Sequence, residues 1–319
     1  GLKMFSVDYP GTKYSERFFV EALLDDNRSR SVSYTEIDGH NILDVLDDAV
    51  WSQDEPFGGV PTLAWYLHFK IVRESGFKVV LDGSGLDDLL GGYLKHVLAA
   101  YALGAVSSTP ETLAEIAGVW GVGLNTVTDM YRASSQSGRA IDGTSGVIPE
   151  LCRIQWRAGD DVIQPSSFRD YLAQSFGSTK LYRALRYKDR ASMWHATELR
   201  VPFVDHVVAE FCLSLPASYL VGRGQGKLIL REAIQDMIPA RLAYAAKRSV
   251  QSPQRESMAV GPLADALTAA LENPSDLLSE AVDVPRALAY MRSLNGIPPS
   301  NSNPMWQWLN LDRWAKRFL

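Results

Sequence analysis

The stretch that decides the fold is Val79-Val80-Leu81-Asp82-Gly83-Ser84-Gly85-Leu86-Asp87-Asp88-Leu89-Leu90-Gly91-Gly92-Tyr93. Lys78 to Leu81 has the continuous apolar character of a parallel strand buried on both faces. A glycine turn and paired acids follow at once. In an open α/β sheet, ligands bind beyond the carboxyl ends of strands. There glycines let backbone N–H groups approach a phosphate, and a helix N-terminus favours an anion. Gly83 and Gly85 suit that close approach. Asp87 and Asp88 could recruit Mg2+, which takes one or two carboxylates and completes its shell with water and phosphate oxygens. On spacing alone a second reading stands beside this one: a tight turn whose aspartates cap the next helix.

Upstream, Met4 to Val7 reads as a strand that ends in the turn cluster Asp8-Tyr9-Pro10-Gly11. Ser15 to Leu24 is predicted helical, and Val32 to Tyr34 a second strand. Ile42, Val45, Leu46 and Ala49 repeat at helical spacing. So do Leu63, Leu67 and Ile71 after Pro61, a residue suited to the first turn of a helix. This alternation predicts parallel strands joined by crossover helices. Downstream of Leu86 the strand signals fade, and Glu111 to Trp120 and Leu263 to Leu271 read as helices. Residues 1–100 are therefore expected to be α/β and nucleotide-binding, and residues 101–319 mainly helical. Ser134 to Gly146 and Asn295 to Asn303 are expected as surface loops.

The 319 residues, 46% of them hydrophobic, suffice for a large core. A net charge of −5 without long runs of either sign argues against a nucleic-acid partner and for small-molecule chemistry. Cys152 and Cys212 form neither a CxxC pair nor a histidine-flanked cluster, so no disulfide framework or zinc site is expected and a reducing cytoplasm fits. No apolar run reaches the roughly 18 to 20 residues that span a bilayer, and no membrane partner is expected.

The deciding string is similar to the signature of the asparagine synthetase family, in which a strand runs into Ser-Gly-Glu-Gly-Ser-Asp-Glu and then Phe-Gly-Gly-Tyr. The resemblance continues through Phe5-Ser6-Val7 with Pro10-Gly11, and through Asp54-Glu55-Pro56. Further on it takes in Asp189-Arg190-Ala191-Ser192-Met193, Glu198-Leu199-Arg200-Val201-Pro202-Phe203-Val204-Asp205 and Gly226-Lys227-Leu228-Ile229-Leu230-Arg231. Lys247-Arg248, Pro253-Gln254-Arg255-Glu256 and the run from Trp306 to Leu319 extend it to the end. It implies a doubly wound parallel sheet of the adenine-nucleotide α-hydrolase-like type, missing its first strand, with a largely helical second half.

The resemblance also implies a chemistry. ATP activates a carboxylate as an acyl-adenylate, and an amine or ammonia then attacks to form an amide; in asparagine synthetase the carboxylate is aspartate's and the ammonia comes from glutamine. By position, Asp87 matches the metal-associated aspartate and Lys227 the lysine that steadies pyrophosphate and intermediate. Val7, Asp82 and Gly83 match residues lining AMP, with Gly85 beside them. Lys227 taken alone is a solvated charge as readily as a site residue. Glu198 and Arg200 read equally as a structural ion pair or as substrate contacts, and Asp88 is expected at the substrate. His195 and His206 are expected in packing or surface roles.

Two departures from the family pattern stand out. Ser84 occupies the position of a glutamate tied to the aspartyl-adenylate, and a hydroxyl cannot replace a carboxylate as charge or base. The Ser-Gly-Gly-x-Asp-Ser pyrophosphate loop that should precede Phe5 does not occur, nor does the N-terminal glutaminase domain. That loop follows a central strand, so the chain is expected to be a truncated piece with the glutaminase domain upstream. A homodimer is one open option. The alternatives kept open are a related ligase or cyclase of the β-lactam synthetase or lasso-peptide cyclase type, and a non-catalytic relative.

Overall fold

The computed structural model describes residues 3–24, 31–137, 148–154, 165–178, 180–245, 252–294, 296–298 and 304–319. Strand β1 (Lys3–Asp8) leads through helix α1 (Arg17–Leu24) to β2 (Ser31–Glu36), and the two strands pair in parallel from Lys3 opposite Ser31 to Asp8 opposite Glu36. The helical periodicity around Ile42 resolves into two helices, α2 (Gly39–Asp44) and α3 (Leu46–Gln53), which meet at Val45. Asp38 starts α2 with a capping box, accepting from the amides of His40 and Asn41 while Asn41 accepts from its own N–H. Helix α4 (Val60–Glu74) starts with Pro61 in its first turn, as its sequence predicts.

Next come β3 (Val79–Leu81), the short α5 (Leu86–Leu89), α6 (Leu94–Ala102), α7 (Thr112–Trp120) and α8 (Leu124–Ser137). Helix α8 runs through Ser134, where a loop is expected, and residues 138–147 lie outside those described. So do Lys247 and Arg248 and most of the 295–303 stretch. Helices α9 (Phe168–Gly177) and α10 (Lys180–Trp194) bring the chain back to β4 (Glu198–Arg200), which pairs in parallel with β3. Helix α11 (His206–Ser214), α12 (Ala217–Leu220), the antiparallel pair β5 (Val221–Gly222) and β6 (Gln225–Gly226), and α13 (Leu228–Ile234) follow.

The architecture is therefore α/β with a small parallel component and a predominance of helix. The doubly wound sheet is not seen as one continuous sheet among the described strands. They form two separate parallel pairs, β1–β2 and β3–β4, beside the two-residue hairpin. β4 escaped prediction because Glu-Leu-Arg is only three residues long and carries two charges. β3 is likewise not the doubly covered strand its composition suggests. Val79 is 43% exposed and Leu81 67%, because among the described residues β3 has one hydrogen-bonded neighbour and an uncovered face.

Two apolar clusters hold the helices. Leu46, Leu63 and Val60 pack with Leu267 from Pro262–Glu272 and with Trp306 and Leu309 from Met305–Phe318. Leu89, Leu98, Ile116, Val127 and Leu172 form the second, from α5 to α9. Full burial of such side chains stabilises by about 1.5–3 kcal/mol each. Helix α10 packs on α3, α4, α9 and β4, tying both clusters to the loops beyond β3.

Candidate active site

Lys227 is the N-cap residue of α13 and sits in the left-handed region with φ +60°. For a residue with a Cβ this costs on the order of 1–2 kcal/mol, so the surrounding contacts hold it there. Its amide donates to the Leu90 carbonyl (2.9 Å), and its ammonium lies 2.8 Å from Asp87 Oδ1. Asp87 is in the first turn of α5, and its carbonyl accepts from the Gly92 amide at 2.8 Å. The glycines of the Gly-Gly-Tyr motif now have a steric reason. A Cβ on Gly92 would run into Asp87 Oδ1 and Lys227 Cε, and one on Gly226 into the Gly91 carbonyl. Backbone from two distant segments thus touches so that one lysine can reach one aspartate.

A cavity lined by Gly92, Trp120, Gln225, Gly226, Lys227 and Arg231 opens beside the pair. Trp120 is fixed there by its indole N–H on the Gly224 carbonyl (2.8 Å). Arg231 donates to the carbonyls of Gly226, Ala243 and Ala245 at 3.0, 2.8 and 3.1 Å. Burial pulls its pKa below the ordinary arginine value, against a smaller opposing effect of Tyr244. The cavity wall is therefore cationic on the side of Lys227.

The turn after β3 is built around Asp82. Its amide donates to the Arg200 carbonyl (2.9 Å), and its Oδ1 accepts from the Ser84 amide (2.8 Å). Lys188, from α10, donates from Nζ to Asp82 Oδ2 (2.8 Å) and to Ser84 Oγ (2.9 Å), and its ammonium stands 4.9 Å from the Trp65 ring centre. Burial works to raise the Asp82 carboxyl; Lys188 and the Ser84 hydrogen bonds outweigh it and hold the group below the usual range. Gly83 faces open space, with nothing within 4 Å of where a Cβ would sit. Gly85 is different: its φ of +93° and the nearby Val204 side chain demand glycine.

Helix α4 links this turn to the first strand pair. It carries Trp65 beneath Lys188, and its His68 Nδ1 lies 2.9 Å from the Thr35 hydroxyl on β2. Burial, with Lys188 adding repulsion, pushes His68 down to about 4. Val7 stands near the carboxyl end of β1, half-buried opposite Thr35.

The predicted site residues thus separate into groups. Asp82, Gly83, Ser84, Gly85 and Asp87 share one loop, and the tertiary fold adds Lys227 to it. Asp88 points the other way. It is 2% exposed, and its Oδ1 accepts from the Ser175 hydroxyl (3.1 Å), which also lies 3.3 Å from His96 Nε2. Helix α5 turns consecutive acids to different sides, so Asp87 meets Lys227 and Asp88 the core. That geometry does not suit the metal and substrate role expected for Asp88. Glu198 and Arg200 pair with each other at 2.8 Å on β4, both side chains more than half exposed, and it is the backbone of Arg200 that supports Asp82. His195 stacks edge-on against Tyr66 at 4.5 Å and His206 is exposed, in the packing and surface roles expected of them. Lys188, Trp65, His68 and His96 were not singled out from the sequence. Lys188 adjoins the Asp189-Arg190 block, yet nothing in a linear chain ties it to an aspartate 106 positions away.

An aspartate paired to a lysine that lines a cavity, with a glycine turn open to solvent, forms a donor set compatible with a phosphate-bound Mg2+ held through Asp87. A model of the asparagine synthase family matches residues 1–316. Glutamine-hydrolyzing asparagine synthetase 3 of Bacillus subtilis (strain 168) is 28% identical over 212 residues, covering 65% of this chain and 31% of that protein. Glutamine-hydrolyzing asparagine synthetase 1 of the same organism is 24% identical over 279 residues, covering 80% of this chain and 43% of that protein. A putative glutamine-hydrolyzing asparagine synthetase of Mycobacterium bovis is 27% identical over 248 residues, 67% of this chain and 38% of that protein. The chain spans less than half the length of these relatives. With a family match from the first residue almost to the last, and the Asp87–Lys227 pair assembled from two of its motifs, the chain belongs to the asparagine synthase family.

Proposed function

We propose that this chain is the synthetase part of an enzyme that forms an amide from a carboxylate at the expense of ATP, through an acyl-adenylate. The substrate pair is aspartate and ammonia derived from glutamine, and a glutaminase domain lies upstream in the natural protein, which acts in the cytoplasm. The observation that carries this reading is the Lys227–Asp87 pair at 2.8 Å beside the open Gly83 turn. A carboxylate oxygen attacks the α-phosphorus, and pyrophosphate leaves with the bonding electrons. The amine then attacks the acyl carbon and AMP leaves. These steps need reactants held in line and phosphate charge neutralised more than they need covalent help.

The chain's own residues divide that work. Lys227 supplies a fixed positive charge toward the phosphates. Asp87, freed from Lys227 by the incoming nucleotide, would hold Mg2+, which when bound neutralises phosphate oxygens. Val7, Asp82 and Gly83 line the nucleotide. The supporting test is aspartate-dependent exchange of labelled pyrophosphate into ATP by the complete natural protein. Exchange with aspartate supports an asparagine synthetase; exchange only with other carboxylates moves the assignment to a related ligase or cyclase; none with any carboxylate removes the ligase reading. The second outcome is the reading that Ser84, bonded to Lys188 where the family pattern has a glutamate, would support.

A further inference from the structure

The hydrogen bonds around Ser84 fix its polarity. A lysine ammonium has donors and no acceptor, so in the 2.9 Å contact between Lys188 Nζ and Ser84 Oγ the hydroxyl oxygen must accept. Its own proton is then directed to another acceptor, and the adjacent ammonium strengthens that donation. Lys188 is held for this task. Its side chain is 13% exposed, ion-paired to Asp82 at 2.8 Å, and seated over the face of Trp65. Asp82 in turn is fixed by the Arg200 carbonyl and the Ser84 amide. One such acceptor is Asp82, whose carboxyl the Ser84 side-chain hydrogen bond helps keep ionised; a substrate oxygen over the turn would be the alternative. In either arrangement residue 84 gives a hydrogen bond and cannot take a proton.

We propose that Ser84 is a catalytic donor to the non-bridging oxygen of the carboxyl group being activated, and that Lys188 is the positioning residue that polarises it. This deepens the amide-forming reading and rests on it. Ser84 lies three residues before Asp87 on the same loop, beside the open Gly83, so a carboxyl group placed over this turn meets a donor. When the oxygen at the other side of that carboxyl bonds to phosphorus and pyrophosphate leaves, the non-bridging oxygen becomes a carbonyl. When the amine attacks, this oxygen takes the negative charge and returns it as AMP departs; the amine proton goes to solvent and not to residue 84. A donor here serves every one of those states, and most strongly the charged one.

The experiment uses the complete natural protein and pyrophosphate–ATP exchange driven by aspartate and by a panel of other amino-acid and peptide carboxylates. Ser84→Ala should lower kcat by about tenfold to a hundredfold, with the KM for ATP within twofold of wild type. Ser84→Thr, which keeps the hydroxyl, should retain most of the rate. Lys188→Met should lose rate as Ser84→Ala does, and Lys188→Arg should restore it, with melting curves confirming that each variant folds. Ser84→Glu should abolish exchange. A Ser84→Glu variant as active as wild type, or an unaffected Ser84→Ala, overturns the proposal. If wild type exchanges with no carboxylate, the ligase reading fails, and the same variants are compared by calorimetry with aspartyl-sulfamoyl-adenosine. Weaker binding to Ser84→Ala but not Ser84→Thr then keeps the donor assignment, and equal binding or none overturns it.

Discussion

Lys227 Nζ and Asp87 Oδ1 lie 2.8 Å apart although 140 residues separate them in the chain, and the lysine reaches its partner from a left-handed backbone conformation. A non-glycine residue kept in that region is strained, and the contacts around it, Asp87 and the Leu90 carbonyl among them, hold it there at some cost in stability.

Lys227→Ala in the complete protein is expected to reduce amide formation and pyrophosphate exchange by at least about a hundredfold, while thermal unfolding stays cooperative. Wild-type turnover in this variant would remove Lys227 from the site.

Gly92→Ala and Gly83→Ala should behave as opposites. The first forces a methyl group into Asp87 and Lys227, and should destabilise by about 1–3 kcal/mol and abolish exchange. The second meets nothing within 4 Å, so stability should stay within about 0.5 kcal/mol. A loss of nucleotide affinity in Gly83→Ala, measured by calorimetry, would then report the close approach of a ligand.

Asp88→Ala is expected to act on folding. It removes the carboxylate that accepts from the buried Ser175 hydroxyl, and should cost about 1.5–3 kcal/mol. Chemical denaturation should show the loss. An unfolding curve that coincides with wild type while KM rises would instead return Asp88 to the substrate site.

His68 makes stability depend on pH. Its folded pKa of about 4 lies below the ordinary 6.5, so the unfolded chain takes up a proton in a window where the folded chain does not. Stability is fully present above about pH 6.5 and falls as pH drops toward about 4, by up to about 3 kcal/mol. His68→Gln should flatten this part of the profile in melts followed from pH 7 to 4; an unchanged slope would contradict the assignment.

The isolated chain is expected to bind ATP weakly or not at all. β1 and β3 each have one paired edge among the described residues, and Leu81 leaves 67% of its surface uncovered. Micromolar affinity together with a sharp thermal transition would contradict this.

Much of the site was legible in the sequence because its first layer is local. The Asp82–Asp87 loop follows a β-rich apolar run, glycine marks the turn, and Pro61 marks the start of α4. Such features depend on backbone sterics and side-chain period, which act over a few residues. What lies beyond that range was decided by the tertiary structure. It set Lys188 on Asp82 and Ser84, turned Asp88 inward while Asp87 met Lys227, and recruited the three-residue β4 as a partner for β3. The reason is physical. Adjacent acids carry identical local signals, and only the packing of α5 against α9 decides which is desolvated. A lysine's partner is likewise chosen by the fold that brings it within Coulombic reach, a distance that spacing along the chain does not encode.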